Sequence, residues 1–356
     1  MAITIQQIAD RAGVSAGTVS RVLNGHYKEN RPAIAQRANR IRQIALELGY
    51  RPNSAARSIL TGRFGLVALV TCGDLGFDWL PLSLVHGIHS ALEKRGLRLV
   101  VNELSGDRIA RSDYVPSLFR ESAVDAMLIN VDSKLPRTII NYFQTQPLPG
   151  VMLNQRLGMR SVYPDEFEGG RLATEHLIRQ GHKAISFLKL SVPEAEPHYS
   201  TFDRRDGFIQ AMTSAGLSAR RMRVGFPNYC DRRGNGIECV GEFLEEFPDV
   251  SAVVCYGIAE ATALHVCVAR EGRRVPDDLA IMVFHEREAH SSIGLPMDTL
   301  IIPFKEVGQE AVDLVSDVLE GNGADAPSRS VSYSMMYDST QDLLREIDAP
   351  SDRDPS

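Results

Sequence analysis

The sequence predicts two parts: a small all-α head with helix-turn-helix layout, and a larger α/β core of two doubly wound parallel-sheet subdomains. Three observations predict this. Residues 5–24 place apolar side chains at helical spacing on either side of Gly13. From Leu66 onward, continuous apolar runs alternate with helical periods. The charge is also split. Residues 1–64 hold ten Lys/Arg against three Asp/Glu, about +7, and the rest of the chain carries about −13 of the net −6. A basic head on an acidic body is what a phosphate-binding module attached to a body that avoids nucleic acid would need.

Within 5–24, Ile5, Ile8 and Ala9 form an apolar stripe at i, i+3, i+4. Gly13 suits the left-handed turn that ends the first helix. Ser15 suits the N-cap of a second helix, with Val19 and Val22 facing the first. Ala16, Gly17, Thr18, Ser20 and Arg21 then fall on the outer side or leading end, the part that a helix-turn-helix lays in the DNA major groove. Pro32 opens a third helix over 32–48, whose apolar side is read as Ala33, Ala38, Ile41, Ala45 and Leu48. Arg37, Arg40 and Arg42 lie on its outer face, and Gly49 ends it. After a break at 50–53, residues 54–62 can form a short helix, too short to persist alone in water.

The core begins with strand 66–72, apolar throughout as in a sheet covered on both faces. It continues with helix 82–95, strand 97–104, helix 111–122, strand 125–131, helix 136–145 and strand 149–155. A second half starts near Asp165. It has helix 168–182, strand 184–190, helix 204–216, helix 232–247, strand 252–256, helix 259–271 and strand 279–285. Strand 299–304 and helix 306–321 are expected to return to the first half, and strand 331–337 to the second. The Pro/Ser/Asp-rich end, 348–356, reads as a disordered tail.

With 356 residues and 44% hydrophobic content, the chain suits two or three soluble globular domains. No apolar run approaches the roughly 20 residues of a membrane helix. The N-terminus has no signal-peptide pattern. The five cysteines show no CxxC spacing, which favours buried thiols over disulfides or zinc. The expectation is a cytoplasmic protein with no membrane, metal or cofactor partner. No Gly-rich phosphate loop, GxSxG or HExxH is present.

IADRAGVSAGTVSRVLN (8–24) and ALELGYRPNSAARSILTG (45–62) closely resemble the start of the LacI/GalR family of bacterial transcription regulators. EGGRLATEHLIRQGHKAISFL (168–188), DRRDGFIQAM (203–212), RRVPDDLAIMVF (273–284) and DTLIIPFKEVGQEAVDLV (298–315) resemble that family's periplasmic-binding-protein-like core. The resemblance implies a DNA-binding head over 1–50, a hinge helix and linker over 51–64, and an effector-binding, dimerising core over 65–347. It implies lobe 1 at about 65–162 and 298–327, lobe 2 at about 163–296 and 328–347, and crossovers near 163, 297 and 328. The implied function is a transcription regulator, more often repressor than activator. It would bind a pseudo-palindromic double-stranded DNA operator as a homodimer, with helix 82–92 as dimer contact.

Carried over residue by residue, Ala16, Gly17 and Arg21 match the base-reading positions. Arg21 could donate two hydrogen bonds to a guanine, whereas Gly17 has nothing to read with. Thr18, Ser20 and Asn24 would bond phosphates, and Thr4 and Ser15 would cap helices and touch phosphate as well. Asn53, Ala56 and Arg57 match hinge contacts. Ile59 stands where the family usually has a leucine that wedges between base steps. Loop 25–31 is longer than the family's.

The implied cleft ligand is a small molecule, by default a sugar, with Trp79, Asn154, Asp165, Arg204, Gly257 and His285 as binding residues. Here the chain departs from the family pattern. His285 and Asn154 stand where an aspartate is usual, and Gly257-Ile258 replaces a polar pair. A degenerate cleft that answers to a partner protein or to no effector is therefore kept as an alternative. A solute-binding protein would lack residues 1–62. A sugar-processing enzyme would need a catalytic motif, for which His285, Glu286 and Arg204 are the nearest equipment.

Overall fold

A computed structural model describes residues 3–24, 27, 31–51, 62–73, 80–105, 124–131, 149–190, 197–220, 222–224, 236–286, 294–321, 326–333 and 337–338. The hinge residues Asn53, Ala56, Arg57 and Ile59, the loop positions 25, 26 and 28–30, Trp79, the helices expected at 111–122 and 136–145, and the tail lie outside these residues. Two compact units are present, Met1–Phe64 and Gly65–Ser356.

The head holds α1 (Ile5–Ala12), α2 (Ala16–Leu23) and α3 (Pro32–Glu47). Each start has a local cause. Thr4 and Gln7 form a capping box: the Thr4 hydroxyl accepts from the Gln7 amide at 3.3 Å and Gln7 Oε1 accepts from the Thr4 amide at 2.9 Å. Gly13 ends α1 at φ 68°. Ser15 Oγ accepts from the Thr18 amide at 3.3 Å, and Pro32 opens α3 at a position whose N–H is not needed. Ile8, Ala9, Val19, Val22, Ala38, Ile41, Ile44 and Ala45 form one buried cluster. Ala33, expected on the apolar side of α3, is exposed, and Ile44 is buried instead. The apolar stripe runs through Ile34, Ala38, Ile41 and Ala45, one position off the expected start. Ser15→Ala is expected to destabilise the head by about 1 kcal/mol through loss of the cap. Thermal unfolding of the head signal measures it, and an unchanged midpoint would mean that the cap contributes nothing.

The core contains two sheets of six described strands. The first has the order β11-β5-β4-β3-β1-β2, with β1 (Leu66–Gly73), β2 (Arg98–Ser105), β3 (Ala126–Val131), β4 (Gly150–Leu153), β5 (Ser161–Pro164) and β11 (Arg329–Val331) all parallel. The second has the order β12-β10-β9-β8-β6-β7. It is built from β6 (Ile185–Lys189), β7 (Met222–Val224), β8 (Ala252–Cys255), β9 (Ala280–His285), β10 (Asp298–Ile301) and the antiparallel β12 (Tyr337–Asp338). β1 lies between β2 and β3, and β8 follows β6 as β3 follows β1, so both sheets are doubly wound.

Two strand placements differ from expectation. The strand expected to return to the first lobe, β10, pairs in parallel with β9, Asp298 opposite Met282 through Ile301 opposite His285. The chain therefore crosses after β10 rather than near 297. The strand expected as 331–337 is two strands. β11 pairs with β5 in the first sheet, and only β12 reaches the second, so the last crossing falls between Val331 and Tyr337 rather than near 328. Apolar strands look alike in sequence, and sheet membership is set by the hydrogen-bonded neighbour, which the pattern does not encode. β5 and β7 are too short and irregular to have been read.

Helices cover the sheets: α4 (Leu82–Glu93) and α9 (Phe304–Leu319) on the first, α5 (Glu166–Arg179), α6 (Tyr199–Ser214), α7 (Gly236–Glu246) and α8 (Ile258–Arg270) on the second. α5 and α6 meet backbone to backbone. A Cβ at Gly170 would lie 2.1 Å from the Arg204 carbonyl oxygen, and one at Gly207 would lie 2.1 Å from that of Phe167. This close approach brings the start of α6 against the start of α5, where the second lobe faces the first.

Candidate nucleic-acid face and inter-lobe cavity

On the head, Ser15, Gly17, Arg21 and Asn24 are exposed along the leading half and outer edge of α2, while Thr18 and Ser20 are half-buried. Ser15 Oγ and Thr18 Oγ1 lie 2.9 Å apart. Arg21 Nε donates to the Gly17 carbonyl at 3.4 Å, and Asn24 Nδ2 donates to Ser20 Oγ at 3.2 Å. These weak bonds hold the polar side chains along α2 without burying them. Ala16 packs in part against the head core. Thr4 is committed to its capping box. Arg37 and Arg40, on α3, border a groove shared with Ser15 and Thr18. Sequence reading put these two arginines on the outer face of α3 but not in the binding set. Their nearness to the start of α2 depends on how the helices cross.

In the core, a cavity of about 340 Å³ lies where the two sheets' carboxyl ends face each other. Leu80, Pro81, Asn154, Ile302 and Phe304 contribute from one side, and Arg204, Tyr256, Gly257, Phe284, His285 and Glu286 from the other. Arg204 sits in its wall, 4% exposed. Its Nε donates to Glu166 Oε2 at 2.5 Å, its Nη2 to Glu166 Oε1 at 2.9 Å and its Nη1 to the Tyr256 carbonyl at 2.8 Å. Glu166 also accepts from the Tyr333 hydroxyl at 2.7 Å. The guanidinium stacks 4.1 Å from the Phe284 ring and 4.7 Å from that of Tyr256. Burial alone would lower the Arg204 pKa, but the Glu166 carboxylate outweighs it and the pKa is raised. Arg204 is thus a charged, oriented wall with few free donors rather than a free clamp.

Asn154 is buried in the left-handed region at φ 56°, and its carbonyl accepts from His198 Nε2 at 2.7 Å. His198 Nδ1 lies 2.7 Å from Ser200 Oγ, which lies 2.6 Å from the Tyr256 hydroxyl. Burial pushes the His198 pKa down, so the ring is neutral at pH 7. With Nε2 donating to a carbonyl, Nδ1 is the acceptor, and the chain runs Tyr256 to Ser200 to His198 to Asn154. Behind the cavity, Glu260 is 4% exposed and accepts from the Leu190 amide at 2.7 Å. Burial pushes its carboxyl up to about 7, against the backbone N–H groups and Lys189 that favour the charged form.

Of the residues nominated from sequence, Asn154, Arg204, Gly257 and His285 line the cavity together. Asp165 does not. Its carboxylate caps α5, accepting from the Glu168 amide at 3.1 Å, and the acid in the cavity wall is its neighbour Glu166. Trp79 lies outside the described residues. Sequence reading missed Glu166, His198, Ser200, Tyr256 and Phe284. The only available signal was position, since each lies within two residues of a strand's carboxyl end or a helix start. Among the described residues, no group of three His, Cys, Asp or Glu side chains could hold a metal ion, and no helix is long and apolar enough to cross a membrane. Cys239, Cys255 and Cys267 are buried free thiols.

Two family descriptions match the chain: "Bacterial regulatory proteins, lacI family" over residues 4–53, and "Periplasmic binding proteins and sugar binding domain of LacI family" over residues 79–339. The HTH-type transcriptional regulator CelR of Thermobifida fusca is 28% identical over 329 residues, 89% of this chain and 92% of that protein. The HTH-type transcriptional repressor CytR of Escherichia coli (strain K12) is 26% identical over 344 residues, 94% of this chain and 95% of that protein. A structure described as a transcriptional regulator CelR–cellobiose complex superposes with a TM-score of 0.63 at 26% identity, covering 95% of this chain and 99% of that one.

Proposed function

The chain belongs to the LacI family of bacterial regulatory proteins, whose members are DNA-binding transcription regulators and not enzymes, and from that premise we propose a homodimeric repressor controlled by a small molecule in the inter-lobe cavity. Two heads would bind the half-sites of a pseudo-palindromic operator. Ligand binding would change the angle between the lobes, and through the dimer the order of the hinge segment and the affinity for DNA. Such a coupling is reciprocal: the operator would change ligand affinity by the same factor. The observation that carries the reading is a capped α2 with Ser15, Gly17 and Arg21 exposed, on a chain whose core encloses a ligand-sized cavity. Leu82 at the start of α4 is 71% exposed, and Val100 and Val101 are each 39% exposed on the edge strand β2. These exposed apolar side chains, all in lobe 1, support lobe 1 as the dimer surface.

A sugar is the first ligand class to screen, because the CelR structure is described as a cellobiose complex. One observation favours a second reading, a regulator with no free effector. Arg204, Glu166 and Glu286, the charged groups of the cavity, are already bonded within the chain.

Selection of bound sites from random double-stranded DNA at fixed salt tests the head. The expected product is a palindrome. Arg21→Ala is expected to cost about 1–3 kcal/mol of discrimination per half-site at one symmetric base pair, with little change at the others. Unrelated recovered sequences, or an Arg21→Ala variant with the wild-type preference, would overturn the reading.

A further inference from the structure

Helix α4 starts without a local cap. Its N-cap is Pro81, which has no side-chain acceptor, and no side-chain bond caps it from nearby in sequence. The second residue of the helix, Ser83, is buried, so its amide and hydroxyl have no ready access to water. Both donate to one atom, Glu286 Oε2, the amide at 3.3 Å and the hydroxyl at 2.9 Å. Glu286 comes from the other lobe, directly after β9 and 203 positions along the chain. A carboxylate here also sits against the positive end of the helix dipole.

Glu286 lines the cavity as well. Its neighbour His285 accepts through its carbonyl from the Ile302 amide at 3.1 Å, at the point where the chain crosses from β10 to α9. The Glu286 side chain thus lines the space a ligand would occupy and caps the start of α4, while the backbone of the residue before it holds the crossing between the lobes.

We propose that Glu286 is a positioning residue that caps α4 from the opposite lobe and so ties the geometry of the cleft to the order of that helix. The proposal rests on the cavity being the effector site. A ligand that draws the Glu286 carboxylate toward itself, or lobes that rotate apart, would leave the Ser83 amide and hydroxyl unpaired in a buried setting and loosen the first turn of α4. That turn carries the exposed Leu82. Conversely, anything that fixes α4 would hold Glu286 and with it the crossing at Ile302.

Amide hydrogen exchange on the full chain, without DNA or ligand, tests this with three variants: Glu286→Ala, the isosteric Glu286→Gln, and Ser83→Ala in the other lobe. Losing the charge-assisted bonds is expected to speed exchange at 83–85 roughly ten- to a hundredfold in Glu286→Ala, with a smaller rise in Glu286→Gln. The decisive result is a parallel rise at Ile302 in all three variants, while the middle of α4 keeps its wild-type rate. A rise confined to 83–85 would make Glu286 a simple cap with no transmission and overturn the proposal, as would no change at either segment. If Glu286→Ala raises exchange everywhere, the two milder variants decide. Failure of the DNA selection leaves this result standing, because neither operator nor effector takes part in it.

Discussion

Arg204→Ala is expected to lower the unfolding free energy of the core by about 3–5 kcal/mol. The ion pair with Glu166 is buried on both sides, at 4% and 2% exposure. Removing the cation leaves the Glu166 carboxylate in the cavity wall with, among the described residues, only the Tyr333 hydroxyl as hydrogen-bond partner. It also takes the plane away from Phe284 and Tyr256 and frees the Tyr256 carbonyl. Urea denaturation followed by circular dichroism measures the loss. The double variant Arg204→Met, Glu166→Leu should recover most of it, because an apolar pair of similar size carries no unpaired charge. A single variant within about 1 kcal/mol of wild type would mean that water reaches Glu166 and that the wall is not closed.

Glu260 gives the second large effect, as a dependence on pH. Its carboxyl titrates at about 7 in the folded chain against 4.5 as an ordinary glutamate. Between those values the folded protein holds more protons than the unfolded chain, so stability falls as pH rises. The contribution is fully present below about pH 4.5 and is lost as pH passes through 7, amounting to about 3 kcal/mol across the window. Glu260→Gln keeps an acceptor for the Leu190 amide and removes the titration. The expected result is a flatter profile of urea midpoint against pH from 5 to 8, with the variant gaining on wild type toward pH 8. Parallel profiles would show that Glu260 is charged throughout that range.

The head was legible because its signals are local. Capping side chains, Gly13 and the i, i+3, i+4 stripe act within a few residues of each other, and the structure uses Thr4, Ser15, Val19 and Val22 as the spacing predicts. The error at Ala33 is a one-residue phase slip in a helix with two adjacent apolar faces to choose from. In the core, the existence of strands was legible from apolar runs, but β10 was placed in the wrong lobe because pairing with β9 is a long-range choice. The cavity was half legible. Arg204 stood out by resemblance, yet its partner Glu166 lies 38 positions away, and nothing in a single sequence joins the two. Asp165, which the resemblance nominates, serves the helix start instead, accepting from the Glu168 amide.

The three chain crossings also constrain how the molecule is made. The first sheet lacks its edge strand until Arg329–Val331 has been synthesised, and the second lacks β12 until Tyr337–Asp338. Neither lobe is a continuous stretch that a ribosome can release and leave to fold. The head is complete within the first 64 residues, so it can fold while nearly all of the core is still untranslated. For most of its synthesis the nascent chain would carry a finished basic head on an unfinished body. A truncated product ending before residue 329 would keep the head but lack a closed core, and cutting the gene between the lobes cannot yield either lobe whole.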